Sequence, residues 1–216
     1  MIVYEDAGLL VCQKPAGVDS ENGLPALLRA ETGAEEIFCV HRLDRETSGL
    51  MVYAKNRHAA TALSAAIAAR RLHKAYLAVA QGETPPSGEM TDLLYRDAKK
   101  NKSYVVRRMR RGVREAALTF ETLARAESLS LVRIALQTGR SHQIRIQFAS
   151  RGFPLVGDTK YGSAWRGSPL ALFASALAFP HPESGEELRF TASPPDLWPW
   201  TLFEGHAALD FSPEIR

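Results

Sequence analysis

Apolar residues along this chain alternate with polar ones or gather in short runs, and only one stretch repeats at helical spacing over several turns. Residues 1 to 17 read as a strand, a turn at Asp6-Ala7-Gly8, an apolar strand from Leu9 to Gln13, and a stop at Lys14-Pro15-Ala16-Gly17. Leu50 to Ala54 predicts a short buried strand. From Arg57 to Arg71 the chain is Ala-rich, with Ala60, Leu63 and Ile67 on one face and Arg70-Arg71 at the C-terminal end, which predicts a helix. Lys74 to Ala80 alternates as a strand, with Ala75, Leu77 and Val79 on one face and Tyr76 and Ala78 on the other.

Two half-buried strands follow from the alternation at Leu118 and Phe120 and at Val132, Ile134 and Leu136. Between them and the tail, Thr138-Gly139-Arg140-Ser141 predicts a turn with Ser141 as N-cap. It leads into a helix with Ile144 and Phe148 at i and i+4, ending near Gly152-Phe153-Pro154. Phe173 to Ala192 holds two strand-like runs split by Pro180-His181-Pro182, and Trp198-Pro199-Trp200 closes the domain. Glu83 to Glu89, with two Pro and a Gly, reads as a surface loop.

Composition narrows the class. A chain of 216 residues can bury about 70% of the surface its unfolded state exposes, enough for one sizeable core. The expectation is a single catalytic domain over residues 1–216. Apolar runs stop well short of the roughly 20 residues of a membrane span, and Met1 to Asp6 lacks the character of a secretion signal. A soluble cytoplasmic protein is therefore expected, a monomer with no membrane and no obligatory protein partner. Cys12 and Cys39 lie in apolar runs and are expected to be buried, reduced thiols.

The net charge of +3 is unevenly placed. Lys99, Lys100, Lys102, Arg107, Arg108, Arg110, Arg111 and Arg114 lie within sixteen residues that contain no acid, so the rest of the chain is net acidic. Such a strip, with Tyr104 inside it, suits a polyanion, because Lys and Arg gain by releasing counterions from phosphates. A solvated hairpin is the structural alternative.

Two constellations can carry chemistry. In His41-Arg42-Leu43-Asp44-Arg45-Glu46-Thr47-Ser48-Gly49 an acid lies between two arginines ahead of a turn. Nearby cations favour the ionised carboxylate, which is the form a nucleophile needs; a surface salt-bridge turn is the alternative. In Gln137-Thr138-Gly139-Arg140-Ser141-His142-Gln143-Ile144-Arg145, donors at a helix start together with Arg140 and Arg145 suit a phosphate or a carboxylate from elsewhere in the fold.

These same residues carry a family resemblance. His41-Arg42-Leu43-Asp44 with Thr47-Ser48-Gly49 resembles the active-site motif of the pseudouridine synthases related to ribosomal large subunit synthase A, and the stretch from Thr138 to Arg145 resembles their downstream motif. Lys14-Pro15-Ala16-Gly17, Lys74-Ala75-Tyr76 and Gly157-Asp158-Thr159-Lys160-Tyr161-Gly162 fall in the matching order. The resemblance implies an α+β fold with a mixed, mainly antiparallel sheet core and flanking helices. It implies no metal or organic cofactor, and as partner a structured RNA, ribosomal or transfer. Asp44 would be the nucleophile, attacking carbon 6 of the uracil or the anomeric carbon of the ribose. Tyr76 would stack on the flipped uracil and accept the proton from carbon 5, and Arg145 would pair with the catalytic carboxylate. Arg42 would enter the space the base leaves, since a guanidinium can both fork onto a carboxylate and stack. Arg140 and the strip residues Lys102, Arg107, Arg108, Arg110 and Arg111 are the expected RNA contacts. The chain departs from the family pattern at Gln147, where many relatives have His, and at Leu172-Phe173-Ala174, where they have Leu-His-Ala.

Other classes fit worse. A kinase catalytic loop needs His-Arg-Asp contiguous with an Asn after it, and a Gly-rich phosphate loop is missing. The His and Cys residues show no zinc spacing. A non-catalytic RNA-binding module keeps the fold but leaves the intact Asp44, Tyr76 and Arg145 unexplained.

Overall fold

The structure, a computed structural model, describes residues 1–205, so the end of the expected 1–216 domain lies outside them. In chain order its elements are β1 (Ile2–Glu5), β2 (Leu9–Lys14), α1 (Gly23–Thr32), β3 (Phe38–Cys39), β4 (Ser48–Ala54), α2 (Arg57–Ala68), β5 (His73–Gln81), β6 (Ser87–Asp97), β7 (Lys102–Val106), β8 (Val113–Ala126), β9 (Leu129–Leu136), α3 (Gln143–Ala149), β10 (Leu172–Pro180) and β11 (Glu187–Thr191). The fold is α+β, with strands that pair mainly antiparallel. Among the described residues no helix is long and apolar enough to cross a membrane. The chain forms two compact units, one of Met1–Lys74 with Phe173–Ser193, the other of Ala75–Leu172 with the segment from Pro194 onward.

In the first unit β2 pairs antiparallel with both β1 and β4, β10 pairs parallel with the start of β4, and β11 returns antiparallel on β10. Leu9 and Val11 of β2, Leu50, Val52 and Ala54 of β4, and Leu177 and Phe179 of β10 turn one face toward Ala59 and Leu63 of α2. The alternate residues Leu10, Cys12, Met51 and Tyr53 are fully buried too, which is why these strands read as unbroken apolar runs. Asn56 caps α2 by accepting the Ala59 amide at 2.8 Å. Helix α1, absent from the sequence expectations, buries Leu24 and Leu28 one turn apart and ends at Gly33 in the left-handed region. Both cysteines are free thiols, Cys12 buried and Cys39 half-buried.

The second unit is an antiparallel sheet in the order β5-β9-β8-β6-β7, with α3 against β6 and β7. Leu77, Val79, Leu129, Leu131, Val156, Ala171 and Phe203 make its core. Three expectations are corrected here. Only residues 83–86 of the expected Glu83–Glu89 loop are irregular, because β6 already pairs with β8 at Ser87↔Glu121 and Gly88↔Phe120. Gly88 leaves room for the Phe120 ring to lie across it, where a Cβ would fall 2.9 Å from the ring. Ser141 is not the N-cap of α3. His142 holds that position with φ of 55° and makes no capping bond, and the turn is closed instead by Gln143, whose Oε1 accepts from the Arg140 amide at 3.0 Å and the Thr138 hydroxyl at 2.8 Å. The helix ends at Ala149, one turn before the expected Gly152.

Asp6 locks the first hairpin. Its Oδ1 accepts the amides of Gly8 at 2.7 Å and Leu9 at 2.8 Å, and its Oδ2 accepts the Tyr4 hydroxyl at 2.8 Å and lies 2.9 Å from His181 Nε2. His181 Nδ1 accepts from the amides of Glu183 and Ser184, so Nε2 bears the proton that it gives to Asp6. Burial alone would raise the Asp6 carboxyl, but the bonds from His181, Leu9, Tyr4 and Gly8 outweigh it and hold the group down at about 2, below its ordinary 3.8. A depressed acid stabilises the fold fully above its unfolded value and loses that contribution as pH falls toward the folded one. Asp6→Asn is therefore expected to lower Tm at pH 7, with the gap to wild type closing between pH 3.8 and pH 2; equal melting at pH 7 would contradict this account.

Candidate active site

Asp44 lies on the loop that joins β3 to β4, and the backbone on both sides of it is tied down. Ser20 Oγ donates to Leu43 O at 2.9 Å and accepts from Leu43 N at 3.3 Å, while the Ser20 carbonyl accepts the buried Tyr53 hydroxyl at 2.8 Å. On the other side Arg45 O accepts from Gly17 N at 2.8 Å, and Arg45 Nε donates to Gly17 O at 2.8 Å. A turn from Asp44 O to Thr47 N, 3.0 Å long, then leads the chain into β4. Leu43 and Thr47 are buried, and Asp44 itself is half-buried.

The group that welds these loops together is Lys14, fully buried at the end of β2. Its Nζ donates to Pro15 O, Val18 O and Arg45 O, each at 2.9 Å, so all three N–H groups of the ammonium have acceptors. Burial pushes the amine down to about 8, opposed by the carboxylates of Glu46, Asp44 and Asp19. Lys14 belongs to one of the family-like motifs but carried no expected role. The signal was a lone Lys at the end of an apolar strand directly before Pro, a place where a solvated side chain has little room.

The arginines flanking Asp44 are engaged elsewhere. Arg42 is exposed and pairs with Glu21 at 2.7 Å, and Arg45 is held at Gly17. Gly49, which ends the motif, has φ of 117°, and a Cβ there would lie 2.4 Å from Ala174 O because β10 passes directly beside it. Only glycine permits that approach. Phe173, one of the family departures, is fully buried next to this contact in β10.

The second unit holds Tyr76, Arg140, Arg145 and the basic strip. Tyr76 is buried on β5, opposite Ile134 of β9. Arg145, on α3, forks onto Asp158, with Nε to Oδ2 at 2.7 Å and Nη2 to Oδ1 at 2.8 Å, both side chains buried. The anion partner foreseen for this motif thus includes a carboxylate from the Gly157-Asp158 turn. Gly157 has φ of 78° and a Cβ there would meet Pro169 O at 2.1 Å, so the turn is closed by chain packed against it.

Around this pair the structure gathers residues of the downstream motif, the Gly157–Gly162 motif and the basic strip. The Tyr161 ring has Arg145 and Lys102 each 5.2 Å from its centroid. Its hydroxyl accepts from Ser103 N at 2.8 Å and lies 2.8 Å from His142 Nδ1. Burial raises the phenol above its ordinary value, against the Ser103 amide and the Arg145 charge, so it stays protonated. Ser103 Oγ also donates to Ser141 O, at 2.6 Å. Asp158 and Tyr161 were missed as functional residues, since their roles depend on partners far along the chain. Arg140 stands apart from this cluster, its Nε donating to Glu115 O at 2.9 Å.

The strip runs from the turn before β7 through that edge strand and the loop at 107–112 to Arg114 at the start of β8. Arg107, Arg108, Arg110 and Arg111 are exposed, and among the described residues no ion pair engages them. Arg110 lies 5.1 Å from the Tyr95 ring centroid. Gln147, the other family departure, is buried and ties α3 to the sheet, its Nε2 donating to Asp92 Oδ2 at 2.7 Å and Met90 O at 3.1 Å.

Comparison with known proteins gives this geometry a family. Residues 8–150 match the family model described as RNA pseudouridylate synthase. Ribosomal large subunit pseudouridine synthase D of Neisseria meningitidis serogroup A is 35% identical over 90% of this chain and 58% of its own length. An uncharacterized RNA pseudouridine synthase of Bacillus subtilis is 35% identical over 90% of this chain and 69% of that protein. The structure of human RNA pseudouridylate synthase domain containing 1 superposes with a TM-score of 0.79 at 26% identity, covering 91% of this chain and 84% of the other. The chain thus spans somewhat under two thirds of the first of these relatives. With the model matched across the Asp44 loop, β5 and the Arg145 helix, the chain belongs to the RNA pseudouridylate synthase family.

Proposed function

We propose that this chain is an RNA pseudouridine synthase that isomerises a specific uridine in structured RNA, ribosomal or transfer, with Asp44 as nucleophile and its two compact units working as one catalytic domain. The observation that carries the reading is the presentation of Asp44, whose neighbours Leu43 and Arg45 both have pinned backbones. A nucleophile gains from being held in one geometry, because orienting entropy is then lost during folding and not during reaction.

In the reaction the Asp44 carboxylate adds to carbon 6 of the uracil or to the anomeric carbon. The bond from the base nitrogen to the sugar breaks, and its electron pair leaves with the base. The base turns, carbon 5 bonds to the anomeric carbon, Asp44 is released, and the carbon 5 proton passes to Tyr76 while the freed ring nitrogen is protonated. The product is an isomer, so no oxidant or second substrate is consumed. Arg42 would fill the gap left by the base, offsetting a few kcal/mol of lost stacking. Its pairing to the exposed Glu21 can be given up, since exposed ion pairs contribute little. Arg140, Lys102, Arg107, Arg108, Arg110 and Arg111 would hold phosphates. The Neisseria relative's name specifies the large ribosomal subunit, which favours ribosomal over transfer RNA.

Asp44→Asn is expected to fold, bind RNA and form no pseudouridine; turnover above background on a good substrate would overturn the assignment. Tyr76→Phe keeps a ring that can stack, worth roughly 1–3 kcal/mol per base, and removes the hydroxyl, so turnover should fall much more than affinity. Wild-type turnover in that variant would leave Tyr76 a packing residue. Changing Arg107, Arg108, Arg110 and Arg111 together to Gln should weaken RNA binding and flatten its log-log salt dependence by about 0.7–0.9 per lost phosphate contact, while the rate at saturating RNA changes much less. Unchanged affinity and slope at matched salt would make the strip a solvated surface.

A further inference from the structure

The first unit holds a second, half-buried lysine, and its surroundings differ from those of Lys14 in one decisive way. Lys74, at the start of β5, places Nζ 3.0 Å from His41 Nδ1, and among the described residues that nitrogen is its one hydrogen-bond partner. Lys14 has three carbonyls and nearby carboxylates. Lys74 has one imidazole.

The other nitrogen of His41 sets the proton count. The second edge of β4 is covered in two places, by β10 at Ser48 and Gly49 and by β3 at Tyr53 and Ala54. Val52 N points into the gap between them, and the His41 ring fills it, Nε2 accepting that amide at 3.2 Å. A backbone amide only donates, so Nε2 must offer its lone pair. Burial pushes His41 well below its ordinary value, and the Lys74 charge adds to this whenever that amine is protonated, so the ring is neutral and its one proton sits on Nδ1. Nδ1–H then faces Lys74 Nζ. An ammonium cannot accept it, whereas a neutral amine can.

We propose that His41 and Lys74 are positioning residues for Asp44, forming a pair that holds the 41–44 loop to β4 while Lys74 is a neutral amine and releases it when Lys74 binds a proton. The release follows from counting donors. When one proton adds at Nζ, the ammonium can only donate, so Nδ1 must present its lone pair and the ring proton moves to Nε2. Nε2–H then meets Val52 N–H, two donors face each other, and the amide loses its acceptor. That is the usual penalty for an unmet buried donor. His41 stands three residues from Asp44, and the other bonds that hold this stretch are the Cys39 thiol on His41 O and, from Leu43 onward, those of Ser20.

Besides each other, the titratable group that acts on the pair among the described residues is Cys39 of β3. Burial raises its thiol, so it stays neutral, and it donates to His41 O at 3.0 Å. Burial lowers Lys74 to about 8, with Cys39 opposing weakly, which puts the transition within reach of neutral solution.

The catalytic consequence rests on Asp44 being the nucleophile, but the protonation pattern does not, and the experiment separates the two. Long-range proton–nitrogen NMR on the full chain reads the His41 tautomer and the Lys74 nitrogen between pH 6 and pH 10. The expected result is Nδ1–H imidazole with a neutral amine at high pH, and a joint change of both, together with the Val52 amide, at a single midpoint. An Nε2–H ring at pH 10, or a lysine that remains ammonium throughout, overturns the pair. Single-turnover rates with RNA then test positioning. The wild-type rate should fall by about tenfold per pH unit below the NMR midpoint. Lys74→Gln, whose amide oxygen accepts from Nδ1–H and takes no proton, should lose that dependence, and Lys74→Arg should stay slow at every pH. Identical profiles for wild type and Lys74→Gln refute the positioning role even where the NMR pattern is present. A wild type that forms no pseudouridine on any RNA refutes the functional reading, while the NMR spectra still decide for or against the pair.

Discussion

Lys14 carries its charge to a place without water because three carbonyls converge there, from Pro15, Val18 and Arg45. Two of those carbonyls belong to the loop leaving β2 and the third to the turn that follows Asp44, so one side chain fastens two segments about thirty residues apart. The bonds between Gly17 and Arg45 extend that seam, and Ser20 pins Leu43 on the far side. Burying an ammonium is unfavourable unless every N–H finds an acceptor. The loops therefore have little freedom to move without leaving a charge unmet, and that constraint is what presents Asp44 in one geometry.

The same logic recurs in the second unit, with a carboxylate in place of the carbonyls. Arg145 and Asp158 satisfy each other in two hydrogen bonds, both buried, and removing either partner of such a pair is strongly destabilising. Tyr161 lies against the guanidinium and reaches Ser103 through its hydroxyl, so the edge strand that begins the basic strip is referenced to the Arg145 helix. The arginines beyond it, Arg107, Arg108, Arg110 and Arg111, are left exposed.

Much of this was legible in the sequence because it follows from local pattern. The apolar run at Leu9 to Cys12, the alternation from Ala75 to Val79 and the Ala-rich stretch from Arg57 became β2, β5 and α2 as expected. What escaped was decided by distant partners. Ser141 has the chemistry of an N-cap, yet Gln143 closes the turn and Ser103 takes the Ser141 carbonyl. Ser87 to Glu89 have loop composition, yet β8 recruits them as a strand. Lys14, Lys74, His41, Asp158 and Tyr161 all stand inside the family-like motifs, but their roles come from contacts across the fold, such as the one from Lys74 to His41, 33 residues away. Pattern gives the faces of elements; it does not say which buried polar atoms will meet.

The dependence of the Asp44 loop on Lys14 can be read directly from amide hydrogen exchange in wild type and Lys14→Met, without reference to activity. Thr47 N is bonded to Asp44 O and Gly17 N to Arg45 O, while Met51 and Tyr53, on either side of Val52, belong to the β2–β4 ladder. The account predicts that in Lys14→Met the Gly17 and Thr47 amides exchange much faster while the ladder amides remain protected, because three carbonyls have lost their donor and only the seam opens. Gly17 and Thr47 amides that stay as protected as in wild type would contradict it.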